Sequence, residues 1–260
     1  MAKSPKRIVQ ISDCHLFSSL TQSLLSVNTH ESLSAIIERI QSLNPTPKII
    51  IASGDVSQDN SKKSYESFIE ILKILNVPVY AIPGNHDDIV AMKSLFPKKH
   101  IILEPWQIIL LNSQKPKCVE GYLDEQEFNF LENCLQSHPH LYSIIFFHHH
   151  PIAVGSQWLD KIGLSNKENF WKRLSAYKNV KAVFFGHAHQ EITGTVNDIP
   201  CFGTPSTCIQ FKKNHADFAL DNLPPGFRWI DLYDDGTIKT EVIRLDHYIG
   251  VFEKDAKGYE

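Results

Sequence analysis

The sequence has few cysteines, no long apolar run and no strong excess of charge of either sign. Its 260 residues include five cysteines, scattered and without a CxxC pair, which predicts reduced thiols and not a disulfide framework. The basic N-terminal segment is followed by an apolar run over 8–11 only, which is too short for a signal-peptide core or a membrane span. Since we find no export signal, we expect a cytoplasmic protein without a membrane partner.

The charge balance argues against broad contacts with polyanions. Lysine and arginine total 26 and aspartate and glutamate total 29, so the net charge is −3. A near-neutral chain lacks the positive surface that nucleic acids or anionic membranes attract. A small phosphorylated substrate would instead need local positive charge, which bound metal ions could supply. The apolar fraction of 42% is ample for a core, and we expect one domain over 1–260, with 247–260 as a charged, peripheral C-terminal tail.

Histidine is abundant and its placement is not random. Seven of the 13 histidines fall in four short segments, each directly after an apolar run: His15, His86, His148, His149, His150, His187 and His189. Histidines scattered over a surface would not all follow predicted strands. The pattern therefore indicates a cluster of imidazoles at one edge of a sheet.

The first third of the chain predicts alternating strands and helices. Buried strands are expected at 7–12, 48–52 and 77–82, with a helix between each pair, one capped by Thr29 and the other by Ser61. This order predicts an α/β fold with parallel strands. Later strands are expected at 142–147 and 180–185, followed by antiparallel strands at 191–196, 201–204, 227–233 and 239–244. Residues 152–167 form a long loop before a helix at 169–177, and a loop of that length is usually functional.

Five polar motifs stand at the carboxyl ends of these predicted strands. They are Asp13-x-His15, Gly54-Asp55, Gly84-Asn85-His86, His148 and Gly186-His187-x-His189. Ligands of α/β sheets bind beyond these strand ends, and residues two apart in extended chain project to the same side. We therefore expect the motifs to converge on one site.

The residue types in these motifs are typical of a site for two divalent metal ions. Imidazole, carboxylate and amide without thiolate favour iron, manganese, zinc or cobalt over a structural zinc. Seven candidate ligands exceed what one tetrahedral ion needs and suit two ions that share Asp55. Two such ions, about 3.5–4 Å apart, form a clamp for in-line displacement at phosphorus.

In this order, the motifs resemble those of the calcineurin-like metallophosphoesterases over nearly the whole chain. The finer similarity is to the bacterial class III cyclic-nucleotide phosphodiesterases that act on cyclic AMP. It is carried by the segments 10–17, 26–29, 54–59, 148–152, 156–160 and 204–211. The resemblance implies a four-layer sandwich of two mixed β-sheets flanked by helices, and hydrolysis of 3′,5′-cyclic AMP to 5′-AMP, which would lower the intracellular level of cyclic AMP.

The resemblance also implies a role for each motif residue. The first metal would be held by Asp13, His15, Asp55 and His189, and the second by Asp55, Asn85, His148 and His187. A hydroxide bridging the two ions would be the nucleophile, and His86 would contact the phosphoryl oxygens or protonate the leaving 3′-oxygen. Substrate would contact His15, Asp55, Asn85, His86 and His189. The two divalent ions are expected to be Fe²⁺ first, with Mn²⁺, Zn²⁺ or Co²⁺ as alternatives, and the assembly a monomer or a homodimer.

Several alternatives stay open at this point. The same core could cleave glycerophosphodiesters, 2′,3′-cyclic nucleotides or nucleic acid, or serve as a metal-free interaction scaffold, and the choice between adenine and guanine is not fixed. His149 and His150 could support ligands or contact substrate. Asn28 could cap a helix or face the substrate, and Trp158 could stack on a base or pack in the core. Asp59 and Asp87 could orient the ligating imidazoles.

Overall fold

The computed structural model describes residues 4–248, 250, 253 and 255–258. In chain order the strands are β1 (Lys6–Ile11), β2 (Ser23–Leu24), β3 (Val27–Asn28), β4 (Ile49–Ser53), β5 (Val79–Ile82), β6 (His100–Leu103), β7 (Trp106–Leu110), β8 (Tyr142–Phe146), β9 (Val180–Phe185), β10 (Ile192–Val196), β11 (Ile199–Gly203), β12 (Gln210–Phe211), β13 (Leu220–Asp221), β14 (Gly226–Leu232) and β15 (Ile238–Arg244). The α-helices are α1 (Thr29–Gln41), α2 (Lys62–Leu72), α3 (Ile89–Leu95), α4 (Glu125–Ser137), α5 (Gln157–Asp160) and α6 (Lys167–Leu174).

Two mixed sheets form the centre of the molecule. The first has the strand order β15-β14-β1-β4-β5, in which β1, β4 and β5 are parallel and β14 and β15 are antiparallel. The second has the order β10-β11-β9-β8-β7-β6, with a parallel centre and an antiparallel strand at each edge. Five of the parallel strands, β1, β4, β5, β8 and β9, end shortly before a predicted motif.

Alternating side chains divide the molecule into four layers. Along β4, Ile49 and Ile51 pack into a core that also contains the second sheet and helices α4 and α6, whereas Ile50 and Ala52 pack against α1 and α2. Successive residues of a strand point to opposite faces, so each sheet is covered on both sides. The predicted sandwich of two mixed sheets flanked by helices is confirmed.

A buried amide joins the two sheets near the site. Gln10 of β1 is fully buried, and its Nε2 donates to Ser53 Oγ at 2.8 Å and to Phe185 O at 3.1 Å. Its Oε1 accepts a hydrogen bond from Thr204 Oγ1 at 2.6 Å. Both ends of the amide are therefore satisfied, as buried polar groups require, and the sheets are held in register where the motifs begin.

The helix starts depend on side-chain caps. Asn28, and not the predicted Thr29, caps α1: its side chain accepts from the backbone N–H groups of His30 and Glu31. The prediction was wrong by one residue because both residue types cap helices. Ser61 caps α2 as predicted. Of the two roles considered for Asn28, the structure shows the helix cap, because its side-chain oxygen accepts both of these hydrogen bonds.

Some elements differ from the sequence-based expectation. Helix α3 was missed because only Met92 within it is buried, so it has no periodic apolar stripe to detect. Helix α5 lies inside the loop predicted at 152–167, and α6 begins at Lys167, two residues before the predicted start. Strand β11 was expected to be antiparallel, yet it pairs parallel with β9 as well as antiparallel with β10.

The described part of the predicted tail contacts the rest of the chain. Ser26 Oγ donates to Glu253 Oε1 at 2.9 Å, and Tyr248 and Ala256 pack against an apolar cluster around Phe211. Residues 249, 251, 252, 254, 259 and 260 of that tail lie outside the described residues. Among the helices that are described, none combines the length and the apolarity needed to cross a bilayer.

Candidate metal centre

The predicted motifs lie on loops from both sheets. Asp13 and His15 follow β1, Asp55 follows β4, and Asn85 and His86 follow β5 in the first sheet. His148 follows β8, and His187 and His189 follow β9 in the second sheet. Because the two sheets face each other, these strand ends meet, and the predicted convergence of the motifs is what the structure shows.

One group consists of Asp13, His15 and His189. Their ligand atoms all lie within 4.8 Å of one another, and the three side chains are buried. The Nε2 atoms of His15 and His189 are 3.2 Å apart, and His189 Nε2 lies 3.4 Å from Asp13 Oδ1. Three donor atoms at these spacings are suited to a divalent cation.

The second group surrounds His148 and shares Asp55 with the first. His148 Nε2 lies 3.2 Å from Asp55 Oδ2 and 3.2 Å from His187 Nδ1. Asp55 Oδ2 is also 3.9 Å from His15 Nε2, so this carboxylate faces both groups. The turn carrying Asn85 packs on Asp55, since the next backbone N–H, that of His86, donates to Asp55 Oδ1 at 2.9 Å.

The orientation of the imidazoles leaves nitrogen lone pairs directed inward. His148 Nδ1 lies 2.7 Å from Ser53 O, His189 Nδ1 lies 2.9 Å from Ile209 O, and His15 Nδ1 lies 2.6 Å from Gln58 Oε1. A nitrogen that faces an acceptor carries the proton. In the neutral form of each ring the lone pair is then on Nε2, the atom that can bind a metal ion. A hydrogen bond from the other ring nitrogen usually orients metal-bound histidines in this way.

One oxygen of the candidate ligand set lacks a partner. Asn85 Oδ1 is buried and has no hydrogen-bond partner among the described residues. Buried polar atoms without partners are rare and costly. The donor set of carboxylate, imidazole and amide, together with this unpartnered amide oxygen, fits a centre for two divalent metal ions.

The protonation states also suit metal binding. Burial raises the pKa of Asp55, but His148 and His86 outweigh it, so that the pKa lies well below its ordinary value. Burial opposes ionisation of Asp13 too, and His189 and His148 lower its pKa nevertheless. Burial lowers the pKa of His15 to about 3 and that of His187 well below its ordinary value. Ionised carboxylates and neutral imidazoles are the forms that bind metal.

His148 differs from the other imidazoles in the metal-free chain. Burial lowers its pKa, but Asp55 more than compensates and raises it to about 9. This imidazole therefore carries a proton beside the carboxylate when no cation is present. A cation at Asp55 would replace that proton, so metal binding at this point releases protons.

The backbone of the site is not extended, contrary to the reasoning from two-residue spacing. Five of the seven predicted ligands have positive φ angles: Asp13 (55°), His15 (49°), Asp55 (51°), His187 (63°) and His189 (47°). Left-handed conformations are uncommon for residues other than glycine and cluster at functional sites. In Asp13-x-His15 and His187-x-His189, both motif residues have left-handed backbone, and this brings their side chains together. The predicted convergence is therefore correct, but the extended backbone from which it was argued is not.

Two glycines permit the close approach of the loops. Gly54 has φ of +99°, and a Cβ at this position would stand 2.3 Å from His148 Nδ1. A Cβ on Gly84 would stand 2.1 Å from Asp55 Oδ1. Neither contact can be relieved without displacing a candidate ligand, so only glycine is compatible with both positions.

His86 lies beside His15 and is less buried than the other imidazoles of the site. Its side chain is half-buried, and its ring stands edge-on to His15 with 5.1 Å between centroids. Its ligand atom is also within 4.8 Å of His15 and Asp55. An imidazole beside the ligands that still reaches solvent is placed to contact a bound phosphate.

Asp87 joins two of the ligand loops. Its carboxylate accepts from the backbone N–H groups of Val56, Ser57 and Gly84 and from the hydroxyl of Tyr65. Burial and the neighbouring Asp55 raise the pKa of Asp87 to about 7. Asp59 instead accepts from the Ser18 and Ser61 backbone. The sequence analysis allowed these two carboxylates to orient the imidazole rings. In the structure they bond to the backbone of the loops instead.

The remaining singled-out residues have hydrogen bonds or packing contacts, and a ligand atom of His149 also lies within 4.8 Å of those of His148 and His187. His149 is buried, with its ring nitrogens 2.8 Å from Ser113 Oγ and 3.0 Å from Val119 O. His150 is buried with its ring parallel to that of His187. Trp158 packs edge-on against Phe211 at 5.0 Å between centroids.

Sequence reasoning missed Gln58 and Phe211. Gln58 contacts His15, and the ring of Phe211 stacks on His189 with 4.1 Å between centroids and 16° between planes. Both residues lie in segments that carried the resemblance, which was the only signal in the sequence for either of them.

Comparison with known proteins agrees with this geometry. The family model described as calcineurin-like phosphoesterase matches residues 6–191. The 3′,5′-cyclic adenosine monophosphate phosphodiesterase CpdA of Haemophilus influenzae is 39% identical over 246 residues, covering 92% of this chain and 90% of the relative. The Pseudomonas aeruginosa protein of the same name is 35% identical, covering 97% and 94%. A dimetal phosphatase from Danio rerio is 14% identical and shares the fold with a TM-score of 0.65, covering 93% of this chain and 99% of that one.

Proposed function

Since the chain belongs to the calcineurin-like phosphoesterase family, whose members use a binuclear divalent metal centre, we propose that it hydrolyses 3′,5′-cyclic AMP to 5′-AMP. The observation that carries this proposal is the convergence of the buried ligand atoms around Asp55. The identity of 35–39% to cyclic AMP phosphodiesterases over more than nine-tenths of the chain supports the choice of substrate.

We assign the ligands in two sets that share Asp55. The first set is Asp13, His15, Asp55 and His189, and the second is Asp55, Asn85, His148 and His187. When bound, two divalent ions supply the positive charge that acidifies water and stabilises the charge developing on the phosphoryl oxygens. We propose Fe²⁺ as the native metal, with Mn²⁺, Zn²⁺ and Co²⁺ as ions that the same imidazole and oxygen ligands accept.

The side chains around this centre bind and orient the substrate. His15, Asp55, Asn85, His86 and His189 surround the position of the phosphate in the proposal. His86 stands at the half-exposed rim, where its ring can donate a proton to the leaving 3′-oxygen or hydrogen-bond a phosphoryl oxygen. A positioned acid of this kind contributes by reaching the reacting atom without rearrangement.

The test is product analysis with metal-loaded protein. After loading with Fe²⁺ or Mn²⁺, cyclic AMP should yield 5′-AMP with little 3′-AMP on chromatography, and a chelator should stop the reaction. Cyclic GMP should also be cleaved, with modest discrimination. If the loaded protein left cyclic AMP intact but cleaved glycerophosphodiesters or 2′,3′-cyclic nucleotides, the substrate assignment would be wrong.

We also propose the cellular and molecular setting. The enzyme acts in the cytoplasm, as one domain over 1–260 with 247–260 as its tail, and assembles as a homodimer. Cell fractionation with an antibody to the protein checks the compartment. Light scattering during size-exclusion chromatography checks the assembly, and a mass of one chain, 29.6 kDa, would contradict the dimer.

A further inference from the structure

We propose that Gln58 is a positioning residue that fixes His15 as a metal ligand, an inference that rests on the proposed metal-dependent function. The amide of Gln58 places its Oε1 2.6 Å from His15 Nδ1. His15 is fully buried and Gln58 is half-buried. The contact is thus sheltered, short and directed at the ring nitrogen opposite the one that faces the candidate metal site.

The backbone holds Gln58 in this position. Its N–H donates to Leu16 O at 2.8 Å, and the N–H of Leu16 donates to Val56 O at 2.9 Å. Leu16 and Ser57 form a parallel bridge beyond the ends of β1 and β4. The two ligand loops therefore run side by side, and the amide is placed beside His15 by main-chain bonds that do not depend on a metal.

The chemistry of the contact selects one tautomer of His15. An amide oxygen only accepts, so the imidazole must carry its proton on Nδ1. The lone pair is then on Nε2, which faces His189 Nε2 at 3.2 Å and Asp55 Oδ2 at 3.9 Å. The opposite tautomer would direct an N–H into the ligand cluster, where it would exclude a cation.

Gln58 differs from the other groups that hold imidazoles in this site. The Nδ1 atoms of His148 and His189 face the main-chain carbonyls of Ser53 and Ile209. A carbonyl of the backbone cannot be removed by substitution, whereas the amide of Gln58 can. The orienting contact of His15 is therefore open to a direct test.

The experiment measures Co²⁺ binding without substrate. We expect Gln58→Leu to weaken one of two Co²⁺ equivalents by roughly 10–100-fold, the usual cost of losing such a partner. Gln58→Glu restores an acceptor and should bind both equivalents at least as tightly as the parent. Competition with a chromophoric chelator gives the dissociation constants, and the visible absorption of bound Co²⁺ reports the altered ligand geometry.

Two controls separate this role from charge and from general damage. Asn60→Asp adds the same negative charge two residues away, at an exposed position, and should change Co²⁺ affinity by no more than about twofold because exposed charges are screened. Gln136→Leu removes an exposed amide that bonds to Tyr177 Oη and should bind Co²⁺ like the parent. Circular dichroism of the metal-free variants checks folding.

Two results would overturn the proposal. One is Gln58→Leu binding both Co²⁺ equivalents with parental affinity, and the other is a folded Gln58→Glu protein that binds one equivalent tenfold or more weakly. The Gln58→Glu measurement tests the proposal even if the Gln58→Leu protein does not fold. A parent that binds Co²⁺ as described but leaves cyclic AMP intact would contradict the proposed function alone.

Discussion

The two halves of the proposed metal centre are built differently. In the first half, His15 and His189 each have an acceptor at Nδ1, and Phe211 stacks on His189. In the second half, His148 has such an acceptor, but Nδ1 of His187 faces another imidazole nitrogen, His148 Nε2, and Asn85 Oδ1 has no partner among the described residues. The first half is therefore oriented by more contacts with the protein than the second.

This difference leads to an order of metal binding. An oriented set of ligands loses less freedom when it binds, so we expect the first half to hold its ion more tightly. Asp55 belongs to neither half alone, because its Oδ2 faces His148 at 3.2 Å and His15 at 3.9 Å. Three kinds of substitution should separate these roles. They change the shared Asp55, the neighbouring His86, or a residue that belongs to only one half.

The largest effect is expected from Asp55→Ala, which removes the difference between the halves. The shared carboxylate contacts both ligand groups, so both metal equivalents should be lost and turnover abolished. Elemental analysis after dialysis and a cyclic AMP assay check this. Asp217→Ala, at an exposed position, is the matched control and should keep both metals. An Asp55→Ala protein that retained two metals and normal turnover would contradict the shared role.

His86→Ala should separate chemistry from metal binding. The ring lies at the rim and is placed to act on substrate, so both metals should stay while kcat falls by about 10²–10⁴-fold. Steady-state kinetics and elemental analysis on the same sample check this. His140→Ala, at an exposed position, should change neither quantity. Loss of one metal equivalent from His86→Ala would assign this residue to the ligands.

His189→Ala and His187→Ala compare the halves directly. Each should lose one metal equivalent, but their metal-free forms should differ in stability. His189→Ala gives up the contact of Nδ1 with a main-chain carbonyl and a ring stack at 4.1 Å. His187→Ala gives up the contact of Nδ1 with another imidazole and a looser ring stack at 5.6 Å, so His189→Ala should unfold about 1–3 kcal/mol more readily. Urea unfolding in the presence of chelator measures the difference. Equal stabilities of the two variants would show that the halves are alike.

The smallest effect is expected from Phe211→Leu, which loosens the first half without removing a ligand. Loss of the stack on His189 should lower the free energy of unfolding by about 1 kcal/mol and weaken one metal equivalent slightly. Phe68→Leu is a matched control, since Phe68 of α2 is fully buried with its ring edge-on to Phe96 and not to a candidate ligand. It should lose similar stability and keep its metal affinity. If both variants bound metal identically, the stack would have no part in orienting His189.

The sequence predicted the parts of this site that follow from strand direction. Parallel strands end at one edge, so polar residues after buried runs at Asp13, Asp55 and His148 could be expected to meet. The left-handed backbone at His15 and His189 could not be read from the pattern, because it is set by the loops packing on each other. The role of Gln58 depends on a contact across 43 residues, and no periodicity reports such a contact. Helix α3 was not predicted because only one of its residues, Met92, is buried, so its sequence has no repeating apolar pattern.

Because the proposed ligands come from two sheets, we expect metal concentration to be coupled to the stability of the whole chain. Asp13, Asp55 and Asn85 follow strands of one sheet, and His148, His187 and His189 follow strands of the other. A cation bound between them is bound only while the sheets are docked. The free energy of unfolding therefore rises by about 2.7 kcal/mol when the free ion is at 100 times its dissociation constant. Metal scarcity would thus reduce the amount of folded protein as well as its activity.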